Sequence, residues 1–187
     1  MIKEKLFRET GAMSELVDKK NKRSEVTASL MNLLNSSTQG GNQYVTFNIG
    51  VVDYGIDIKA VQEITAYRPL SRLPNTPPYV KGILNLRGNV ISIMDPRIKF
   101  GLKEVVFNKT SVIIIFKSLD NTIGMIVDNI SDVMTIEKKY IEKPADVSTE
   151  INTKFVDGIG KIGEKFVIIL NIDKMFSNEV TGLMVNK

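Results

Sequence analysis

The sequence contains no histidine and no cysteine among its 187 residues, and each absence removes chemistry. Without cysteine there are no disulfides and no thiolate metal sites, and the chain is compatible with a reducing compartment. Without histidine the commonest general base, the Ser/His nucleophile pairing and most zinc or haem ligation are lost together. An enzyme built on this chain would work with carboxylates, lysine, tyrosine or serine alone. Long apolar runs are missing too. The longest, such as residues 112–116, have five residues, against the roughly 20 of a membrane-spanning helix. The N-terminus carries charges with no apolar stretch behind them, so no secretory signal is read and a cytoplasmic location is expected. Charge of one sign is in small excess only, 25 − 21 = +4. The basic residues are scattered, as on a solvated mixed-charge surface rather than a nucleic-acid stripe.

What is present is enough apolar content, 43% of residues, for a packed core. The length fits one domain or two small ones sharing a core. Residues 1–41 are polar and end in Ser36-Ser37-Thr38-Gln39-Gly40-Gly41, a linker composition. Inside them Val26, Leu30, Leu33 and Leu34 fall on one helical face behind Lys19, Lys20, Lys22 and Arg23. That pattern is open between a frayed tail and a helix docked on the body, on a partner or on a membrane surface.

From Gln43 the texture changes to short runs rich in Val, Ile, Tyr, Phe and Thr. Strands are expected at about 43–49, 52–58, 82–87, 90–95, 111–117, 121–127, 156–162 and 165–171. Short helices are expected near 59–63 and 96–100, with a longer one from about Asp173. Pro74, Pro77 and Pro78 make the segment between the strand pairs a stiff surface loop.

The chain also repeats itself. At an offset of 69, Tyr54, Gly55, Ile56, Val61 and Ile64 fall on Ile123, Gly124, Met125, Ile130 and Val133. Phe47 meets Phe116 and Glu63 meets Asp132 at the same offset. At an offset of 76, Gly82 and Ile83 meet Gly158 and Ile159, and residues 90–94 meet residues 166–170. The change of offset falls in the loop region, where insertions are tolerated. Two copies of a unit of roughly 70 residues, strand-rich and with little helix, would most naturally close into small barrels.

One hairpin carries an anomaly. Residues 82–95 alternate as a ribbon, and Gly88-Asn89 reads as its two-residue loop, so that Arg87 would face Val90 and Leu86 would face Ile91. One face is aliphatic, and Arg87 stands at the tip of the other. Its counterpart in the second copy is Gly163, and that of Gly88 is Glu164. Core positions keep their character between copies while this tip does not, which points away from packing. Glu63 is the nearest candidate partner. The pair reads either as a surface salt bridge or as an interaction site in which Arg87 is ringed by Val61, Leu86 and Val90.

Other groupings read as structure. Asp53 with Asp57 and Asp128 with Asp132 are spaced as i, i+4 but fall on strands and tight turns, where acidic turn residues are the commoner explanation. Residues 158–163, Gly-Ile-Gly-Lys-Ile-Gly, precede a strand rather than a helix and so lack the helix N-terminus of a phosphate loop. Lys161 is then a solvated turn lysine. No constellation supports catalysis, and neither a cofactor nor a metal is implied.

From about Gln43 to Phe176 these residues resemble the CheW family of bacterial chemotaxis coupling proteins. The resemblance lies in residues 54–58 (Tyr-Gly-Ile-Asp-Ile), Val61-Gln62-Glu63-Ile64, Asn75-Thr76-Pro77, Lys81-Gly82 and Asn85-Leu86-Arg87-Gly88. It continues in Asp95, in Arg97-Ile98-Lys99-Phe100, in Val127-Asp128, in Gly158 and in Asn171-Ile172. It implies an all-β fold of two intertwined five-stranded, SH3-like barrels with short helices, here carrying an N-terminal extension at 1–41. The coupling domain would span 42–180, with a first barrel at about 42–107, a second at about 108–172, strand exchange between them left open, and the C-terminal helix after them.

It further implies a non-enzymatic adaptor linking the cytoplasmic tips of transmembrane chemoreceptors (methyl-accepting chemotaxis proteins) to the regulatory domain of the histidine kinase CheA. The protein would meet the membrane only through those receptors, with no nucleic acid involved. Val61, Glu63, Asn85, Leu86, Arg87 and Gly88 match the receptor-facing positions, while the kinase contact, expected at the barrel ends, is assigned to no residue. Against the family pattern, Pro96 stands where relatives often carry leucine, which would shift the start of a short helix. Within the fold, the alternatives are a kinase regulatory domain or the coupling half of a coupling-plus-receiver protein. A nucleic-acid-binding barrel is the alternative of another class, and an enzyme ranks last.

Overall fold

The computed structural model describes residues 42–118, 121–143 and 153–176. The expectations for residues 1–41 lie outside these. The described chain is all-β with few helical turns, in agreement with the expected class. Its strands are β1 (Asn42–Ile49), β2 (Val52–Asp57), β3 (Val61–Ala66), β4 (Val80–Leu86), β5 (Asn89–Met94) and β6 (Val112–Ser118). They continue as β7 (Asn121–Val127), β8 (Asn129–Ile136), β9 (Ile141–Glu142), β10 (Val156–Ile162) and β11 (Lys165–Leu170). Helix α1 (Pro96–Lys99) follows β5, and α2 (Ile172–Phe176) follows β11.

One sheet has the order β8-β1-β2-β11-β10-β9 and the other β3-β6-β7-β5-β4. Neither is contiguous in sequence. The offsets of the internal repeat map β1, β2 and β3 onto β6, β7 and β8, and β4 and β5 onto β10 and β11. Each sheet therefore takes the first two strands of one copy and three later strands of the other, the six-stranded sheet adding the two-residue β9. The registers repeat as well. Parallel pairing sets Ser92 beside Ile123 and Ile93 beside Gly124 in one sheet, and Ile168 beside Tyr54 and Ile169 beside Gly55 in the other. The boundary near 107/108 thus divides the sequence copies but not the sheets, and the strand exchange left open by the sequence is present in both directions.

The remaining partners obey the same symmetry. β3 pairs with β6, and β8 with β1, each across a bulge, between Val61 and Glu63 on β3 and opposite Thr46 and Phe47 on β1. Two-residue β9 beside β10 matches the isolated bridge from Ser71 to Ile83 beside β4. Both glycines at these crossings are forced by close approach: a Cβ on Gly82 would stand 2.5 Å from the Ser71 carbonyl oxygen, and one on Gly158 2.3 Å from Ile141 Cγ2.

Two expectations are corrected here. Residues 59–63 do not form a helix. A single 3-10 turn at Ile58–Ala60 leads directly into β3. A bulge in β3 puts an extra residue, Gln62, between Val61 and Glu63, which face the consecutive residues Phe116 and Ile115, and so breaks the alternation of the strand. In addition, β3, β8 and β9 were absent from the sequence reading.

The five-residue apolar run of β6 is buried throughout, because β6 lies between β3 and β7 and is covered on both faces. Burying each such aliphatic side chain contributes about 1.5–3 kcal/mol. Aromatic rings knit the sheets to the helices. Tyr54 stacks on Phe47 (6.1 Å between centroids) and on Phe100 (5.3 Å), and Phe116 stacks on Phe176 (5.4 Å). Burial pushes the Tyr54 phenol pKa above its ordinary value. Pro96 opens α1 at its first position, with the Asp95 carboxylate accepting from the Arg97 N–H, so the helix begins where the cap dictates.

Candidate functional site

The tip of the β4–β5 hairpin is shaped by a tight turn. Leu86 faces Asn89, Asn85 faces Val90 and Leu84 faces Ile91, so the loop is Arg87-Gly88 rather than the expected Gly88-Asn89. The two registers differ by two residues and keep the same side chains inward, so alternation alone does not separate them. The backbone dihedrals do. Arg87 has φ +53° and Gly88 φ +89°, the type I′ pattern in which glycine favours the second central position. The Gly88 N–H donates to Asn85 Oδ1 at 3.0 Å and closes the turn.

That correction changes the meaning of Arg87, because it now occupies a left-handed position, where a side chain costs on the order of 1 kcal/mol relative to glycine. In the symmetry-related hairpin the two-residue loop is Gly163-Glu164, with Gly163 at φ +60°. The position that one copy gives to glycine is held in the other by an arginine. Its side chain is 77% exposed and so gains little from packing.

Arg87 Nη2 lies 3.5 Å from Glu63 Oε2. Glu63 belongs to β3 and Arg87 to the β4–β5 tip, and β3 and β4 are the two edges of the same five-stranded sheet. The ion pair thus joins opposite edges, and the sheet is curled round on itself at this end. Asn85 and Gly88 are exposed, Leu86 and Glu63 are half-buried, and Val90 is 65% exposed. Val61 is buried to 5% exposure, its side chain turned into the core. The tip therefore presents one cation, a carboxylate held beside it, and a small aliphatic fringe. Among the described residues no cluster of acidic side chains is grouped to hold a metal.

One ionic feature was missed by the sequence reading. The Arg97 guanidinium is 2% exposed and lies between the fully buried Asp95 carboxylate, at 3.3 Å, and the half-buried Asp128 carboxylate. Asp128 also accepts from the Gly50 N–H at 2.7 Å, and its own N–H donates to the Asn48 carbonyl at 3.0 Å. The network pins α1, the β1–β2 turn and the β7–β8 junction together. Its signal in the sequence was local only: Asp95 two residues ahead of Arg97, with Asp128 far along the chain. The other acidic spacings resolve as turn chemistry, with Asp57 accepting from the Lys59 N–H and Asp53 from Asn48.

Comparison with known proteins places this geometry. Residues 43–180 match the family model described as CheW-like domain. The chemotaxis protein CheW of Klebsiella aerogenes is 34% identical over 146 residues, covering 78% of this chain and 88% of that protein. That of Treponema pallidum is 32% identical over 148 residues, covering 77% and 87%. Among solved structures, the scaffolding protein TtCheW from Thermoanaerobacter tengcongensis superimposes with a TM-score of 0.69 at 35% identity, covering 74% of this chain and 90% of that one.

Proposed function

As the chain belongs to the CheW-like domain family, we propose that it is a chemotaxis coupling adaptor, joining the cytoplasmic tips of chemoreceptors to the regulatory domain of the histidine kinase CheA and transmitting receptor control of the kinase. The coupling domain is 42–180, preceded by an extension at 1–41. The adaptor works by contact, with no chemistry of its own. Among the described residues no helix is long and apolar enough to cross a membrane, and the protein reaches the membrane through the receptor array.

The receptor contact is the β4–β5 tip: Arg87 and Glu63 as the charged pair, Asn85 and Gly88 as the turn that aims the arginine, and Leu86 as its apolar flank, with Val61 beneath as support. The observation that carries this reading is Arg87 in a left-handed turn position whose symmetry mate is Gly163. Backbone preference favours glycine there, and a side chain that is 77% exposed gains little from packing, which supports an external partner as what the arginine serves. Interface anchors of this kind are enriched in arginine.

The test is assembly from purified parts. The full chain is mixed with a receptor cytoplasmic fragment, with the CheA regulatory domain, and with both. Binding to each, and a ternary complex with both, supports the adaptor; binding to only one, or mutually exclusive binding, contradicts it.

A further inference from the structure

Exchange of strands in both directions makes the relation between the two copies two-fold, so a group that touches its own counterpart stands at the axis between them. Lys99 does so. At the offset of 76 its counterpart is Met175, and Lys99 Nζ donates to the Met175 carbonyl at 2.7 Å. The ammonium also faces three rings, whose centroids lie at 4.8 Å for Tyr79, 5.3 Å for Phe176 and 5.4 Å for Phe155. Tyr79 and Phe155 are counterparts at the same offset, one immediately before β4 and the other immediately before β10. A single cation therefore lies among residues of both copies.

Each member of that pair is fastened to the start of a helix. The Asp95 N–H donates to the Tyr79 carbonyl and the Asn171 N–H to the Phe155 carbonyl, both at 2.8 Å, which ties Tyr79 to α1 and Phe155 to α2. Phe176 ends α2 and stacks on Phe116 of β6. From α1, half-buried Lys99 reaches the last turn of α2, where free carbonyls favour a cation. The second copy fills the equivalent position with buried Met175, so an apolar side chain suffices to pack it. Charge at Lys99 adds a directional tie across the axis, strengthened by the rings that exclude water from it.

We propose that Lys99 is a positioning residue of the adaptor: its ammonium latches α1 to α2. The β4–β5 hairpin that bears Arg87 runs directly into α1, and α2 follows β11 of the six-stranded sheet. The latch thus fixes how the receptor-facing hairpin is set against the other sheet, and a contact at Arg87 is passed on through it. The tie itself stands on geometry, while its consequence for signalling rests on the adaptor reading.

The experiment compares the full chain with Lys99→Met, which keeps an unbranched side chain, and Lys99→Arg, which keeps the cation. In the chain alone, exchange of the hydrogen-bonded amides of Asp95, Phe100, Asn171 and Met175 is expected to quicken about tenfold or more in Lys99→Met and to stay near the parent in Lys99→Arg. The amides of β6 and β7 should hold in both. An equal rise throughout the domain, or no rise, overturns the latch. Transmission is read as the affinity for the CheA regulatory domain with and without a saturating receptor cytoplasmic fragment. The parent is expected to show a ratio of about fivefold or more, Lys99→Met a ratio near one with each separate affinity within about twofold of the parent, and Lys99→Arg the parent ratio. A ratio retained by Lys99→Met, a ratio of one in the parent, or separate affinities that fall together with the ratio overturns the positioning role. If neither fragment binds the parent, the adaptor reading fails and hydrogen exchange alone decides the latch.

Discussion

Arg87 and Glu63 meet at 3.5 Å across the seam of a single sheet, one from the β4–β5 turn and the other from the opposite edge strand. The pair is mostly solvated on the arginine side, and such pairs contribute about 0–1 kcal/mol. A double-mutant cycle with Arg87→Ala and Glu63→Ala, read by urea denaturation, is therefore expected to give a coupling energy in that range. A coupling of several kcal/mol would make the pair a structural clamp.

The buried network should behave in the opposite way. Arg97→Met leaves the Asp95 carboxylate fully buried without its cation, and breaking one side of a buried pair costs about 3–5 kcal/mol. Asp128→Asn, at a site about a third exposed, keeps a hydrogen-bonding group and should cost clearly less. Denaturant midpoints of the two variants check the order.

Close approach at the symmetry-related crossings predicts a contrast between glycines. Gly82→Ala puts a Cβ 2.5 Å from a backbone oxygen at φ +146°, so backbone itself must move, and a loss at or above the upper end of the about 1–3 kcal/mol typical of overpacking is expected. Gly101→Ala, at φ +70° with nothing within 4 Å, should cost only about 1 kcal/mol from the left-handed backbone. Thermal midpoints of both variants measure the difference.

Alkaline pH should expose the burial of Tyr54. Its folded pKa is raised above the ordinary value of 10.0 by desolvation. Below about pH 10 both folded and unfolded chains hold the proton, so stability is unaffected. Above it the unfolded chain loses the proton first, and stability falls as pH rises toward the folded value. Tyr54→Phe keeps the ring stacked between Phe47 and Phe100 and removes the titration. Its midpoint should fall less steeply than that of the parent above pH 10, with parallel curves below.

Legibility in the sequence followed the range of the interactions. The hairpins β4–β5 and β10–β11 and the strands β1, β2, β6 and β7 were readable because alternation and turn residues are local. β3 and β8 were not, because each pairs with a strand of the other repeat and carries a bulge that breaks the alternation at Gln62 and Ser131. The pairing of Glu63 with Arg87 was anticipated from the anomaly at the tip, yet the register was two residues off, since Gly88 fits either turn. Asp128 was read as a turn residue, and it does hold the Gly50 N–H. Its second partner, Arg97, lies 31 residues away, beyond any local signal.

The central claim is that Arg87 is kept for a partner and not for the fold, and Arg87→Gly tests it most directly. The substitution relieves a left-handed position by about 1 kcal/mol and removes a pair worth about 0–1 kcal/mol. The thermal midpoint should hold or rise, while affinity for a receptor cytoplasmic fragment falls by about tenfold or more. Unchanged affinity, or a midpoint that drops in step with binding, would contradict the account.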